Sequence, residues 1–225
     1  MMKVTKRQKT WAELDKEKVY ALADAVETLR KFCSSKFDES LEIAIRLGID
    51  VSKADQNIRG MLSLPHGTGK HVRVAVFTEN AQDEAKKAGA DIVGGVELID
   101  KVLGGFLEFD RVVATPDMMP KMSKIARVLG PKGLMPNPKL GTVTNNVADA
   151  VVTAKAGQIE YRAEKKGIIH CAVGKMSFTT DKLVENATAL IEQLKKIKPS
   201  SAKGQYIVSC NIATTQGPGL KVDAK

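Results

Sequence analysis

Aromatic residues are scarce: one Trp, three Tyr and six Phe among 225 residues, or 4%. A platform that stacks bases needs several exposed rings, so stacking is not this chain's main means of holding a ligand. Cysteine is scarcer still. Cys33, Cys171 and Cys210 are odd in number and scattered, with neither metal-ligand nor redox spacing. They are expected to be three small buried side chains in a reducing compartment, with no metal. No apolar run approaches membrane-spanning length. The first residues, "MMKVTKRQKTW", lack an apolar stretch after the basic ones and do not read as a secretory signal. A soluble, cytoplasmic protein is expected.

The motifs of catalysis are missing too. "GTGK" at 67–70 resembles a phosphate-binding loop, but Leu64 stands where the first glycine belongs and His71 where the hydroxyl residue belongs. The run "VRVAVF" leads into "FTENAQDE", without the glycines of a dinucleotide fingerprint. His66, His71 and His170 have no triad spacing, and Ser63 lacks the flanking glycines of a nucleophile elbow. Nothing is assembled for bond-making, so no catalytic residue, no cofactor and no enzyme are expected.

What is present is charge. The chain carries 35 Lys+Arg against 26 Asp+Glu, a net +9, which suggests a polyanionic partner. Its patterning changes twice. Leu14, Leu22, Ala25, Val26, Leu29 and Phe32 recur at helical spacing over Trp11–Cys33. Leu41, Ile43, Ile45 and Leu47 then alternate as a half-buried strand, and Ile58, Gly60, Leu62 and Leu64 repeat the pattern. After "PHGTGK" the strand-like runs "VRVAVF", "DIV" and "RVVAT" alternate with helical segments, one of them "DMMPKMSKIARVLG", the order of a mainly parallel α/β unit. After Gly157 the first texture returns. "QIEYRAEKKGIIHCAV" reads as a hairpin turning at "EKKG", and "FTTDKLVENATALIEQLKKIK" as an amphipathic helix. "QYIVSCNIA" reads as a last strand with Tyr206, Val208, Cys210 and Ile212 on one side.

The simplest account is a discontinuous α+β domain, residues 1–66 and 158–225, with a mostly antiparallel sheet and two helices. Residues 67–157 form an inserted α/β domain. The insert holds 12 basic residues against 10 acidic ones, the remainder 23 against 16. Within the insert, residues 111–140 carry six basic residues and a single acid, Asp117. That half contains "GPKGLMPNPKLGTV" (130–143), whose three prolines preclude helix or regular strand. Such a stiff loop suits a phosphate cradle, a pocket wall or lysines offered to a nucleic acid. The two connections contain Gly67, Gly69 and Gly157, which fits a hinge and equally a fixed interface.

Three polar segments, "SSKFDES" (34–40), "YRAEKKGIIH" (161–170) and "TTQGPGLK" (214–221), join core strands and are placed at one end or edge of the sheet. Lys36, Arg162, Lys165, Lys166 and Lys221 would meet phosphates, and Ser40, Thr214 and Thr215 offer short hydroxyls. Structured RNA is held by that mixture of shape, phosphate and 2′-OH contacts.

"KFDES", "DQNIRGMLSLPHGTGK", "GADIVGG", "MMPKMSKIARVLGPKGLMPNPKLGTV", "EYRAEKKGIIH" and "TTQGPGLKVD" together resemble the bacterial ribosomal protein L-one family. The resemblance spans nearly the whole chain. It implies a discontinuous RNA-binding domain with a Rossmann-like insert, direct binding to large-subunit rRNA in the ribosome's mobile stalk, release of deacylated tRNA from the exit site, and repression of the protein's own operon mRNA. The RNA-contacting positions it implies are Lys36, Phe37, Ser40, Arg162, Lys165, Lys166, His170, Thr214, Thr215, Gln216, Gly217 and Pro218. Ser40 stands where the family usually has threonine, and Gln216 where it has methionine. Phe37 and Pro218 are expected to pack on RNA while Thr214 and Thr215 hydrogen-bond it. Lys132 and Lys139 are expected to make a second, weaker RNA contact; the alternative is a loop rigid against its own domain. A small-molecule enzyme with a Rossmann-like domain is the competing class, separated by whether RNA or a nucleotide co-purifies.

Overall fold

The computed structural model describes residues 18–33 and 35–223, together with Thr5, residues 9–11, Leu14 and Asp15. In chain order the elements begin β1 (Val19–Tyr20), α1 (Leu22–Phe32), β2 (Ser40–Leu47) and β3 (Arg59–Ser63). They continue with β4 (Val74–Phe77), α2 (Gln82–Lys87), β5 (Ile92–Gly94), α3 (Val96–Leu103), β6 (Arg111–Ala114), α4 (Met119–Met122), α5 (Ala126–Leu129) and α6 (Val147–Lys155). Last come β7 (Gln158–Arg162), β8 (Ile168–Lys175), α7 (Thr180–Lys196), β9 (Ile207–Thr214) and β10 (Gly219–Val222). This mixed α/β chain gathers into two compact units, one running to Gly69 and resuming at Ile159, the other Lys70–Gln158. Ser34, in the first polar segment, lies outside the described residues, as does part of the stretch before Lys18.

The first unit rests on a five-stranded sheet in the order β1-β10-β9-β2-β8. β2 is antiparallel to both β9 and β8. Alternation in "SLEIAIRL" sorts its faces: Leu41, Ile43, Ile45 and Leu47 are buried, while Glu42 and Arg46 are exposed on the other side. α1 and α7 bring Ala25, Val26, Leu29, Leu183, Ala187, Leu190 and Leu194 into the same core. Each fully buried leucine contributes about 1.5–3 kcal/mol by leaving water. On the opposite face Glu42, Arg46, His170, Asn211 and Lys221 are all exposed.

Several expectations need correcting here. The first helix starts at Leu22, because Val19 and Tyr20 pair in parallel with Lys221 and Val222 and are held extended. "QYIVSCNIA" is not the last strand: "GLKV" turns back along β9 as β10. Val208 is 46% exposed although Cys210 and Ile212 are buried, because the β2–β9 register shifts between Arg46 and Leu47 and the parity breaks there. "EKKG" does turn, with the Gly167 amide donating to Glu164 O at 2.8 Å, but its arms separate. β7 pairs with β3 in a two-stranded sheet while β8 pairs with β2. The Leu47 amide donates to Gly167 O at 2.9 Å, capturing the chain for the larger sheet directly after the turn.

In the second unit β5, β4 and β6 form a parallel sheet with β4 central. All four residues of β4 are buried, as a strand covered on both faces requires. Ala75 and Phe77 pack with α3 and the 118–129 segment, Val74 and Val76 with α2 and α6. "DMMPKMSKIARVLG", residues 117–130, is expected as one helix, but Pro116–Leu129 is instead a succession of short α and 3-10 turns. Pro120 interrupts the amide ladder, yet the stripe Met118, Met122, Ile125 and Leu129 stays fully buried.

Candidate nucleic-acid interface

Three chain segments meet at one end of the five-stranded sheet: residues 35–40 leading into β2, 175–178 leaving β8, and the 214–218 turn between β9 and β10. Thr215 Oγ1 accepts from the Ser40 amide at 3.0 Å. The Gln216 amide donates to Glu39 Oε2 at 3.0 Å, and Ser35 Oγ donates to Glu39 Oε1. Asp38 ties in the third segment, accepting from the Ser177 amide and hydroxyl at 3.1 and 2.8 Å, while Lys175 Nζ donates to Asp38 O at 3.0 Å. On this frame Lys36 and Phe37 are exposed, Phe37 by 50%, alongside Thr215 and Gln216.

Glu39 is the buried member, 3% exposed. Burial pushes its carboxyl up, but the Ser35 hydroxyl, the Gln216 amide and the nearby Thr214 hydroxyl outweigh that and hold it below the usual carboxylate range. Thr214 is 4% exposed, its hydroxyl buried close enough to Glu39 to help hold that carboxyl down. Pro218 is buried as well. Thr214 and Pro218 therefore shape the turn from beneath, and the surface expected of them belongs to Thr215, Gln216 and Phe37. Gly217 has a steric reason: a Cβ there would meet Thr214 Oγ1 at 2.1 Å.

The other predicted residues do not join this cluster. Ser40 faces Lys175 across the β2–β8 ladder and Arg46 faces Ile168, so six residues of strand separate the loop cluster from the 164–167 turn. At about 3.3 Å per residue the separation is roughly 20 Å. Arg162, Lys165 and Lys166 are exposed at that far end. The open face joins the two. Lys221 lies opposite Asn211, Asn211 opposite Ala44 and Ala44 opposite His170, one row crossing four strands. His170 Nε2 lies 4.0 Å from Glu164. The result is a strip with exposed cations at both ends and hydrogen-bonding side chains between. Glu42, Arg46 and Asn211 are not among the expected contact residues, although their parity opposite the apolar residues of β2 and β9 marks them.

Two cysteines are sealed away. Burial pushes the thiols of Cys171 and Cys210 up to about 12. Cys33 is only partly buried, contrary to expectation.

A model of the ribosomal protein L1p/L10e family matches residues 29–218. The chain belongs to that family. The match begins in α1 and ends on Pro218, so it takes in all three segments of the loop cluster, the open face except Lys221, and the whole second unit. Membership makes this a ribosome-associated, RNA-binding protein, with large-subunit rRNA as its partner, in a family of structural proteins rather than enzymes.

In the second unit, Lys132 and Lys139 are exposed on a loop that is itself anchored. Pro136 and Leu140 are buried, Asn137 Oδ1 accepts from the Lys139 amide at 2.9 Å, and the Asn137 amide donates to Thr142 Oγ1 at 2.8 Å. Gly67, Gly69 and Gly157 all hold positive φ, at 66°, 71° and 90°, which explains glycine at each. Gly67 is not loose. Asn186, fully buried, donates to Gly67 O at 3.0 Å and to Val173 O at 2.8 Å and accepts from the His66 amide at 3.1 Å. His66 also pairs with Glu185.

Proposed function

We propose that the discontinuous domain, residues 1–66 with 158–225, is the rRNA-binding domain, and that residues 67–157 form a Rossmann-like insert that moves against it. The observation that carries this reading is the strip itself, in which Ser40, Thr215, Gln216 and Phe37 are brought together from segments about 175 residues apart and continue into an open polar sheet face. Thr215, Gln216 and backbone groups hydrogen-bond the RNA, Phe37 packs on a sugar or base, and Lys36, His170, Arg162, Lys165 and Lys166 meet phosphates across the strip. A misshapen RNA would leave several polar groups unpaired, each costing about 1–3 kcal/mol; the lysines add affinity that salt removes.

The second contact is made by Lys132 and Lys139, held ready by the anchored loop. The bend lies after Gly69 on the outgoing connection, since Asn186 holds Gly67, and at Gly157 on the return. This combination suits a mobile stalk that binds rRNA directly and helps release exit-site tRNA, and the same strip would bind an operon mRNA of similar shape and repress its translation. Hydroxyl-radical footprinting of large-subunit rRNA tests the reading. Wild type should protect one compact structured region, K165A/K166A should lose protection on one side of it, and uniform weak protection would contradict it.

A further inference from the structure

Glu39 occupies a position whose chemistry runs against its neighbourhood. It shares the strand parity of Leu41, Ile43 and Ile45, so its side chain turns toward the core side of the sheet instead of toward solvent. A carboxylate at such a place is unfavourable unless its charge is met by donors. Two are supplied, one from each end of the chain. Oε1 takes the Ser35 hydroxyl, on the segment entering β2, and Oε2 takes the Gln216 amide, on the turn leaving β9. Its own carbonyl accepts from the Met176 amide at 2.8 Å, adding the third segment of the cluster. Of these partners none is a cation. The acid therefore does not serve to cancel a buried positive charge, and at 3% exposure it is not itself part of the exposed surface.

We propose that Glu39 is the positioning residue of the RNA-binding loops: its two carboxylate oxygens lock residues 35–40 and 214–218 into their RNA-ready shape before RNA arrives. This rests on the RNA-binding reading above and adds what sets the shape that RNA meets. A carboxylate is suited to the task because charge-assisted bonds to an amide and a hydroxyl are shorter and stronger than neutral ones. The lowered pKa noted above is the mark of those bonds. Preordering removes a cost otherwise met on binding. Ser40 and Thr215 form a second rung beside it, so the turn is held at two successive residues.

The test uses the full-length chain in three variants, Glu39→Ala, Glu39→Gln and Ser35→Ala. It reads amide hydrogen exchange at Gln216 without RNA, affinity for a structured large-subunit rRNA fragment, and the slope of log affinity against log salt. Glu39→Ala should speed Gln216 exchange at least tenfold and weaken RNA binding about tenfold through faster dissociation, with the salt slope unchanged. Ser35→Ala should have a smaller effect of the same kind. Glu39→Gln retains the shape and one acceptor oxygen, so it should restore most of the affinity. Unchanged Gln216 exchange in both Glu39 variants, or unchanged affinity in variants that fold, overturns the proposal. So does a changed salt slope with no rescue by Gln, which would make Glu39 an electrostatic element. Should Glu39→Ala not fold, Ser35→Ala and Glu39→Gln decide by the same readouts. Failure of wild type to bind the fragment would sink the RNA reading instead, and Gln216 exchange would still judge the lock.

Discussion

Thr215 Oγ1 accepts from the Ser40 amide at 3.0 Å and lies 3.4 Å from Ser40 O, joining residues 175 positions apart at one end of the central sheet. The two ends of the chain thus build one surface. Thr215→Val removes the hydroxyl and keeps the volume. It should weaken binding to a structured rRNA fragment about five- to tenfold, near 1 kcal/mol, with the salt slope preserved. Lys36→Ala should instead flatten the slope by about one phosphate contact. Titrations at several salt concentrations separate the two.

Gly217 has no room for a side chain. Its Cβ would meet Thr214 Oγ1 at 2.1 Å, so Gly217→Ala should cost about 1–3 kcal/mol of stability by overpacking. Thr214→Ala removes the obstructing hydroxyl. The double variant should recover most of the loss in thermal unfolding, a coupling that two independent defects would not show.

Asn186 satisfies three backbone groups from within the core. Asn186→Ala strands His66 N, Gly67 O and Val173 O, and should destabilise by about 3 kcal/mol in urea unfolding. Limited proteolysis should at the same time open first at residues 65–70, the segment Asn186 holds.

Asp91 gives the second unit a pH signature. Burial pushes its carboxyl up, but the Val74 amide at 2.9 Å and Lys155 outweigh that and lower it below its ordinary 3.8. A folded-state value lower than the unfolded one stabilises above the unfolded value, and the benefit fades as pH falls through the folded one. Asp91→Asn should therefore be less stable than wild type by about 1 kcal/mol at neutral pH, after allowance for partial exposure. The gap should close only in acid, below the ordinary carboxylate range.

The sequence made strands and helices legible wherever one face of an element was apolar. β2 and α7 carry their period in plain view, because core and solvent sort the residues directly, and β4 shows as an unbroken apolar run because both its faces are covered. What it hid was set by partners distant in the chain. β1 exists because Val19 and Tyr20 find Lys221 and Val222. Val208 faces out because a bulge breaks the count. β7 and β8 part because Leu47 claims Gly167.

The site followed the same rule. Lys36, Phe37, Ser40, Thr215 and Gln216 were found by motif, and they do converge. Thr214 and Pro218 came from the same motif, but they lie beneath the surface. Glu39 went unremarked, since an acid within a polar loop looks like any solvated charge until burial and two donors single it out.

Competition binding tests the account's central claim most directly. The purified chain is offered a structured large-subunit rRNA fragment against a scrambled transcript of equal length and composition, at physiological salt. The account predicts a preference of a hundredfold or more for the folded fragment, on the order of 3 kcal/mol. Equal affinity for both would contradict it.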